Sequence, residues 1–181
     1  MTVSYDDVIK FWFEDISPKQ RFTKDLKLDA LIEQRFGDLY EKAAKGDLKF
    51  WRENVKGALA EVIILDQFSR NIFRDTPKAF ATDEMALEAA KEAIAKGLDK
   101  EMDETHLSFL YMPFMHSESK EAHEIAVNLF NKPGMEYSYD YELKHKAIID
   151  RFGRCPHRNE ILGRKSTAKE IEFLKEDGSS F

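Results

Sequence analysis

Apolar residues recur every three or four positions along most of this chain, and this spacing constrains the fold more than any other feature. Between Asp25 and Lys45 the apolar positions include Leu28, Leu31, Ile32, Phe36, Leu39 and Tyr40. Residues spaced in this way share one face of a helix with about 3.6 residues per turn. The pattern therefore predicts an amphipathic helix here. Similar patterns predict helices over residues 57–73, 82–97, 103–112, 118–130 and 137–152.

Helix-capping residues flank several of these segments. Thr82 and Ser117 stand where N-caps are expected, and Gly153 suits a helix C-terminus. Thr167 and Glu170 have the spacing of a capping box before a short last helix. The only β-branched run, VIIL, lies inside a helical pattern. We therefore predict an all-α fold: one domain over residues 1–181, a helical array or bundle of about eight or nine helices.

Cysteine content and charge limit the cellular compartments and the partners expected for this protein. The only cysteine, Cys155, excludes an internal disulfide and a cysteine-based metal cluster, which favours a reducing compartment. The segment MTVSYDDVIKFWFED lacks the cationic start of a signal peptide, and no apolar run approaches the roughly 20 residues that span a bilayer. We expect a cytoplasmic protein without membrane contact. The formal net charge of -6 argues against nucleic acid as a partner.

Positive charge is concentrated in one stretch of this acidic chain. Residues 144–165 carry a local surplus of +5, and its centre is RFGRCPHRN, residues 151–159. Arg154, His157 and Arg158 follow Gly153 and are predicted to lie in a loop. Guanidinium groups match the oxygens of carboxylate or phosphate. The stretch therefore predicts an anion site, whose anion is either a ligand or one of the protein's own acids: Asp66, Asp83 or Glu118.

Polar residues also interrupt the most apolar segment, GALAEVIILDQFSRNIF. Asp66 lies in the middle of its apolar stripe, and a buried carboxylate must be paired or protonated. Arg70, one turn later, could pair with it, as could an arginine of RFGRCPHRN. A second polar strip consists of Gln67, Asn71 and Arg74. This strip suits either a bound carboxylate or phosphate, or contacts with neighbouring helices.

The stretch HLSFLYMPFMHSE predicts an apolar helix that is interrupted at Pro113, with Tyr111 and His116 beside the interruption. The five histidines do not have the spacing of the HExxH zinc motif. The patterns GxGxxG, GxxxxGK[ST] and GxSxG are also absent from the sequence. We therefore predict neither a metal nor a cofactor.

Two functions fit these features best. The first is binding of a small anionic molecule, with or without catalysis, in a cleft lined by Gln67, Arg70, Asn71, Arg74, Tyr111, His116, His145, Arg154, His157 and Arg158. His116 or His157 would then be the acid-base group, with Asp66 orienting it. The second is a protein-interaction module without enzymatic activity, which would use exposed aromatic side chains. The candidates are Phe11, Trp12, Phe13, Phe50 and Trp51.

Three long motifs resemble one bacterial family, domain of unknown function 924. They are LDQFSRNIFRDTPKAFATD, FLYMPFMHSE and HKAIIDRFGRCPHRNEILGRKSTAKEIEFL, in this order along essentially the whole chain. The resemblance implies an all-helical, tetratricopeptide-like fold and no established activity. The family pattern has other residues at the positions of Ser69 and Cys155, which leaves every charged residue of the proposed site in place.

Overall fold

A computed structural model of the chain describes residues 3–181. The residues described form helices and turns, with no strand among them. Residues 3–181 contain nine helices when the two parts of α4 are counted as one, which confirms the predicted all-α fold. Their α-helical ranges are α1 Tyr5–Lys10, α2 Pro18–Phe22, α3 Leu26–Ala44, α4 Val55–Ile63 and Ser69–Ile72, α5 Asp83–Ala95, α6 Glu104–His116, α7 Lys120–Phe130, α8 Glu136–Phe152 and α9 Ala168–Phe173. A π-helical segment, Phe11–Asp15, extends α1, and another, Ile64–Phe68, joins the two parts of α4.

The chain folds into two compact units. Within the described residues, the first consists of residues 3–74 together with Lys78–Pro113, and the second consists of Asp75–Pro77 and Phe114–Phe181. A single domain over residues 1–181 and a tetratricopeptide-like arrangement both remain predictions. No helix in the described part of the chain is long and apolar enough to cross a membrane.

Helix α4 is the centre of the first unit and packs against α1, α3 and α5. Phe68 of α4 is fully buried, and its ring lies 4.8 Å from that of Phe36 and 5.7 Å from that of Trp12. Aromatic pairs at such separations stabilise a core beyond the area they bury. The apolar character of α4 on nearly all sides, read from its sequence, follows from this central position.

The wide π-helical turn of α4 is held by hydroxyl groups. A π turn disturbs the regular hydrogen bonding of a helix, so its carbonyl groups need other donors. The hydroxyl of Ser69 donates to the carbonyl of Leu65 at 2.8 Å and to that of Asp66 at 3.1 Å. Thr82 also donates to the Leu65 carbonyl, at 2.7 Å. Thr82 does occupy the predicted N-cap of α5, but its side chain makes no capping hydrogen bond there.

A buried ion pair that the sequence analysis missed also stabilises the first unit. Arg52, only 2% exposed, donates to both carboxylate oxygens of Glu61, at 2.7 and 2.9 Å. Arg52 also donates to Glu92 of α5 at 2.7 Å. These hydrogen bonds, chiefly those to Glu61, raise the pKa of Arg52. Glu61 lies inside the apolar segment of α4, as Asp66 does, and this was the signal that could have found the pair.

The predicted interruption at Pro113 is not a helix end. Helix α6 continues through Pro113 to His116. A proline inside a helix costs about 3 kcal/mol, and burial of Phe114 and Met115 offsets that cost. The predicted cap at Ser117 is also wrong, because Ser119 caps α7 by accepting from the backbone N–H of Ala122.

In the second unit α7 packs against α8. The buried histidine His123 joins the two helices, because its Nδ1 lies 2.7 Å from Oε1 of Glu142. Gly153 ends α8 with φ 71°, and the capping box of Thr167 and Glu170 begins α9, as predicted. Residues local in sequence, the C-cap Gly153 and the Thr167 capping box, thus fix where the basic loop between α8 and α9 begins and ends.

Candidate histidine–arginine site

The predicted site residues are divided between the two compact units. The first unit holds Asp66, Gln67, Arg70, Asn71, Arg74 and Tyr111. The second unit holds His116, His145, Arg154, His157 and Arg158.

Asp66 is fully buried in the π-helical turn of α4. Arg70 pairs with it at 3.4 Å, which is the predicted pair one turn apart, but the shorter contacts of Arg70 are to Asp83, at 2.7 and 3.0 Å. Gln67 donates to Oδ2 of Asp66 at 2.7 Å and contacts the sulfur of Met112. Gln67 is therefore a buried partner of Asp66. The π turn shifts the angular positions that the regular helical wheel assigned.

Asn71 and Arg74 converge on one carboxylate of α3. Arg74 donates to both oxygens of Asp29, at 2.6 and 2.8 Å, and Asn71 donates to Oδ1 at 2.8 Å. Burial works to raise the pKa of Asp29, but these hydrogen bonds outweigh burial and hold the pKa below its ordinary value.

Tyr111 is buried, and its hydroxyl donates to Asp99 at 3.0 Å. Burial and this hydrogen bond raise the pKa of Tyr111, so it stays a neutral donor.

Two arginines of the basic region bind acids of the same unit. Arg154 donates to both carboxylate oxygens of Glu170, at 2.7 and 2.8 Å. Arg164 does the same with Glu118, at 2.7 and 2.9 Å, and Glu118 also accepts from the backbone N–H of Cys155. These bidentate pairs fasten the loop to α9 and to the start of α7. Glu118 is one of the three acids named from the sequence as internal partners of the basic stretch, whereas Glu170, which binds Arg154, was not among them.

The remaining predicted residues of the second unit form what we call the histidine–arginine cluster: His116, His145, His157 and Arg158. Arg158 is buried and donates to the carbonyl of His116 at 2.9 Å. The rings of His116 and His145 lie 6.4 Å apart. Nδ1 of His145 lies 2.8 Å from the carbonyl of Tyr141. Because a carbonyl only accepts, Nδ1 is the donor, and the neutral ring keeps its lone pair on Nε2.

Burial and positive charge keep two of these imidazoles neutral. Burial lowers the pKa of His145 to about 3, helped by the charges of neighbours that include His116 and Arg158. Burial also lowers the pKa of His157 to about 4, with Arg158 as the next cause. Nδ1 of His157 is buried and has no hydrogen-bond partner among the described residues. At neutral pH the cluster therefore combines one fixed cation with two uncharged rings.

An aromatic side chain that the sequence analysis did not select covers this cluster. The ring of Phe181 stacks on His145, with centroids 3.9 Å apart and planes 25° apart. His157 and Tyr141 each meet Phe181 edge-on, both at 6.3 Å. Phe181 nevertheless remains 47% exposed. No local sequence signal could have placed this residue here, because it lies far from each of its partners along the chain.

His123 is fully buried, and both of its ring nitrogens are within hydrogen-bond distance of a partner. Its Nε2 lies 2.8 Å from the carbonyl of Ser117 and must donate to it, while Nδ1 faces Glu142. Burial raises the pKa of Glu142, although the hydrogen bond with His123 opposes this rise. Across residues 3–181, no group of three or more histidine, cysteine, aspartate or glutamate residues is arranged to hold a metal ion.

Comparison with known proteins identifies the family of the chain. The pattern of one family, described as bacterial protein of unknown function (DUF924), matches residues 8–178. The chain belongs to this family. The resemblance inferred from the three motifs is thereby confirmed. A solved structure of a protein of unknown function from Agrobacterium tumefaciens is 38% identical in sequence, with a TM-score of 0.90, and the match covers 94% of this chain and 96% of that one. No curated protein matches the chain.

Proposed function

We propose that this member of the DUF924 family binds a small anionic molecule, a carboxylate or a phosphate, at the histidine–arginine cluster. The observation that carries the proposal is Nδ1 of His157, a buried polar atom without a partner in the described chain, next to the buried cation of Arg158. A buried polar atom without a partner costs free energy that a ligand can recover. An anion would also interact favourably with the charge of Arg158, which adds to the effect of burial in lowering the pKa of His145 and His157.

The other predicted ligand residues are less suited to an anion. In the first unit, two guanidinium groups contact the three carboxylates Asp29, Asp66 and Asp83, which leaves no surplus of positive charge. Arg154 is similarly held by Glu170. The proposal therefore places the ligand at the cluster and treats these arginines as parts of the scaffold.

The proposed role is binding, because His157, one of the two predicted acid-base groups, is poorly suited to catalysis. A general base is most effective when its pKa lies near the working pH. The pKa values of about 3 for His145 and about 4 for His157 make both rings weak bases. Asp66, the predicted orienting acid, contacts Gln67 and Arg70 in the first unit. An anion would raise the pKa of both histidines, so we expect affinity to increase as the pH falls from 7 towards 5.

The alternative function, a protein-interaction module, has less support, because most of the aromatic side chains predicted to form its surface are buried. Phe11, Trp12 and Trp51 are core residues with 6% exposure or less, and Phe13 is partly buried against Phe109. Phe50, at 68% exposure, is the one strongly exposed aromatic side chain of those predicted. One exposed ring is ordinary on a protein surface. A cytoplasmic location and the lack of a nucleic acid partner remain predictions.

The test is a thermal-shift titration with inorganic phosphate and with acetate. At a concentration of about 100 times Kd, a ligand stabilises by about 2.7 kcal/mol. This corresponds to a rise in Tm of roughly 5–10 °C for a chain of this size. We expect R158Q and H157Q to lose this rise. The matched control, R154Q, changes an arginine of the same loop and should keep it.

Since R158Q removes a buried cation and could fail to fold, H157Q carries the test independently. Circular dichroism establishes that each variant is folded before it is titrated. Undiminished shifts in H157Q, or equal loss in R154Q and H157Q, would overturn the assignment of the site.

A further inference from the structure

The position of Phe181 indicates which kind of anion the cluster accepts. Its phenyl ring has the face of His145 on one side and the edges of His157 and Tyr141 around it. Three aromatic rings thus form a slot around one planar ring. Stacked and edge-on arrangements of this kind are the favourable ones for aromatic pairs.

The cluster residues suit a planar, uncharged ring in the slot. Stacking at 3.9 Å places the phenyl face directly over the imidazole of His145. The imidazole of His145 is held in place by the hydrogen bond from its Nδ1 to the carbonyl of Tyr141. The slot therefore exists as a rigid surface, because α8 carries both His145 and Tyr141 one turn apart.

The segment that carries Phe181 is held weakly. Within the described residues, the polar contact of segment 177–181 is one hydrogen bond, from Oγ of Ser179 to the carbonyl of Leu174 at 3.2 Å. Almost half of the Phe181 side chain faces solvent. Displacing this ring breaks its three ring contacts, but a ligand ring in the same place would restore them, so the two rings can exchange at low net cost.

We infer that the ligand of the cluster is an aromatic carboxylate, whose ring takes the place of Phe181 on His145 while its carboxylate meets Arg158 and His157. This inference rests on the proposed function and adds the class of ligand. Phe181 then acts as an internal competitor. Its occupancy of the slot lowers the apparent affinity for aromatic anions, because only the fraction of molecules with an open slot can bind them.

The experiment compares benzoate with acetate by calorimetric titration of the wild type, F181A and F181W. We expect F181A to bind benzoate roughly three- to tenfold more tightly than the wild type does, a factor typical of one aromatic pair. Acetate affinity should change by less than about twofold, since acetate has no ring to stack. F181W keeps a ring in the slot and should retain the wild-type affinity for benzoate.

The control is F22A, which removes another exposed and stacked phenylalanine. Phe22 is 62% exposed and stacks on Phe109 at 6.0 Å in the first unit. F22A should leave benzoate affinity unchanged. Proton NMR of the His145 ring gives a direct readout: its signals should shift when Phe181 is removed, and benzoate added to F181A should shift them back towards the wild-type position.

Failure of this inference can be separated from failure of the proposed function. If acetate and phosphate bind in a manner that depends on His157, but F181A binds benzoate no more tightly than the wild type does, the anion site stands and the aromatic ligand class is wrong. If none of the three anions binds to any folded variant, both the anion site and the aromatic ligand class are wrong.

Discussion

Lowering the pH from 7 to 5 is expected to destabilise the protein through His145 and His157. Their pKa values in the folded state, about 3 and about 4, lie below the ordinary value of 6.5. As the pH falls through 6.5, the unfolded chain takes up a proton on each ring while the folded chain does not. The contribution of these two histidines to the free energy of unfolding is therefore complete above pH 6.5, and it decreases as the pH falls until the folded pKa is reached.

The magnitude follows from the difference in bound protons. One proton contributes about 1.4 kcal/mol of free energy of unfolding per pH unit. Between pH 7 and 5 each histidine that stays neutral in the fold costs about 2 kcal/mol. His145 is 6% exposed, whereas His157 is partly exposed and its contribution is discounted for solvent screening. We expect a combined loss of about 2–4 kcal/mol.

Urea unfolding at intervals of half a pH unit between 5 and 7 measures this loss. Most carboxylates titrate below this window. Glu142, whose pKa is raised, works in the opposite direction, but it is present in every variant. H145Q and H157Q should each show a smaller decrease in stability than the wild type. Parallel curves for the wild type and both cluster variants would refute the reasoning.

Three further predictions concern the scaffold and are checked by urea unfolding. E61Q should lose about 3 kcal/mol, because it leaves the buried Arg52 without its charged bidentate partner; a loss under about 1 kcal/mol would show that the pair is dispensable. G57A should destabilise by about 1–3 kcal/mol despite the better helix propensity of alanine, because a Cβ there would lie 2.2 Å from the carbonyl oxygen of Trp51; a neutral or stabilising effect would contradict this contact. T167A should cost about 1 kcal/mol by removing the capping box of α9, and an unchanged stability would mean that α9 does not need its cap.

Signals that act over one or two turns were readable in the sequence. The apolar spacing predicted α3 to α8 to within a few residues but not the short α2, and Gly153 and Thr167 mark the two ends of the basic loop. The pairing of Asp66 with Arg70 was also local. The π-helical turn at Ile64–Phe68 was not foreseen, since a helical wheel assumes one constant angle per residue.

Partners far apart along the chain could not be read in this way. Arg74 pairs with Asp29 across 45 positions, and Arg164 with Glu118 across 46, so only folding shows which arginines are neutralised. The sequence by itself determined a helical fold and a concentration of cations and histidines. The tertiary structure decided that His145 and His157 are neutral and lie beside Phe181. The physical reason is that helix formation depends on nearby residues, whereas burial, and with it the pKa of a histidine, depends on what packs around it.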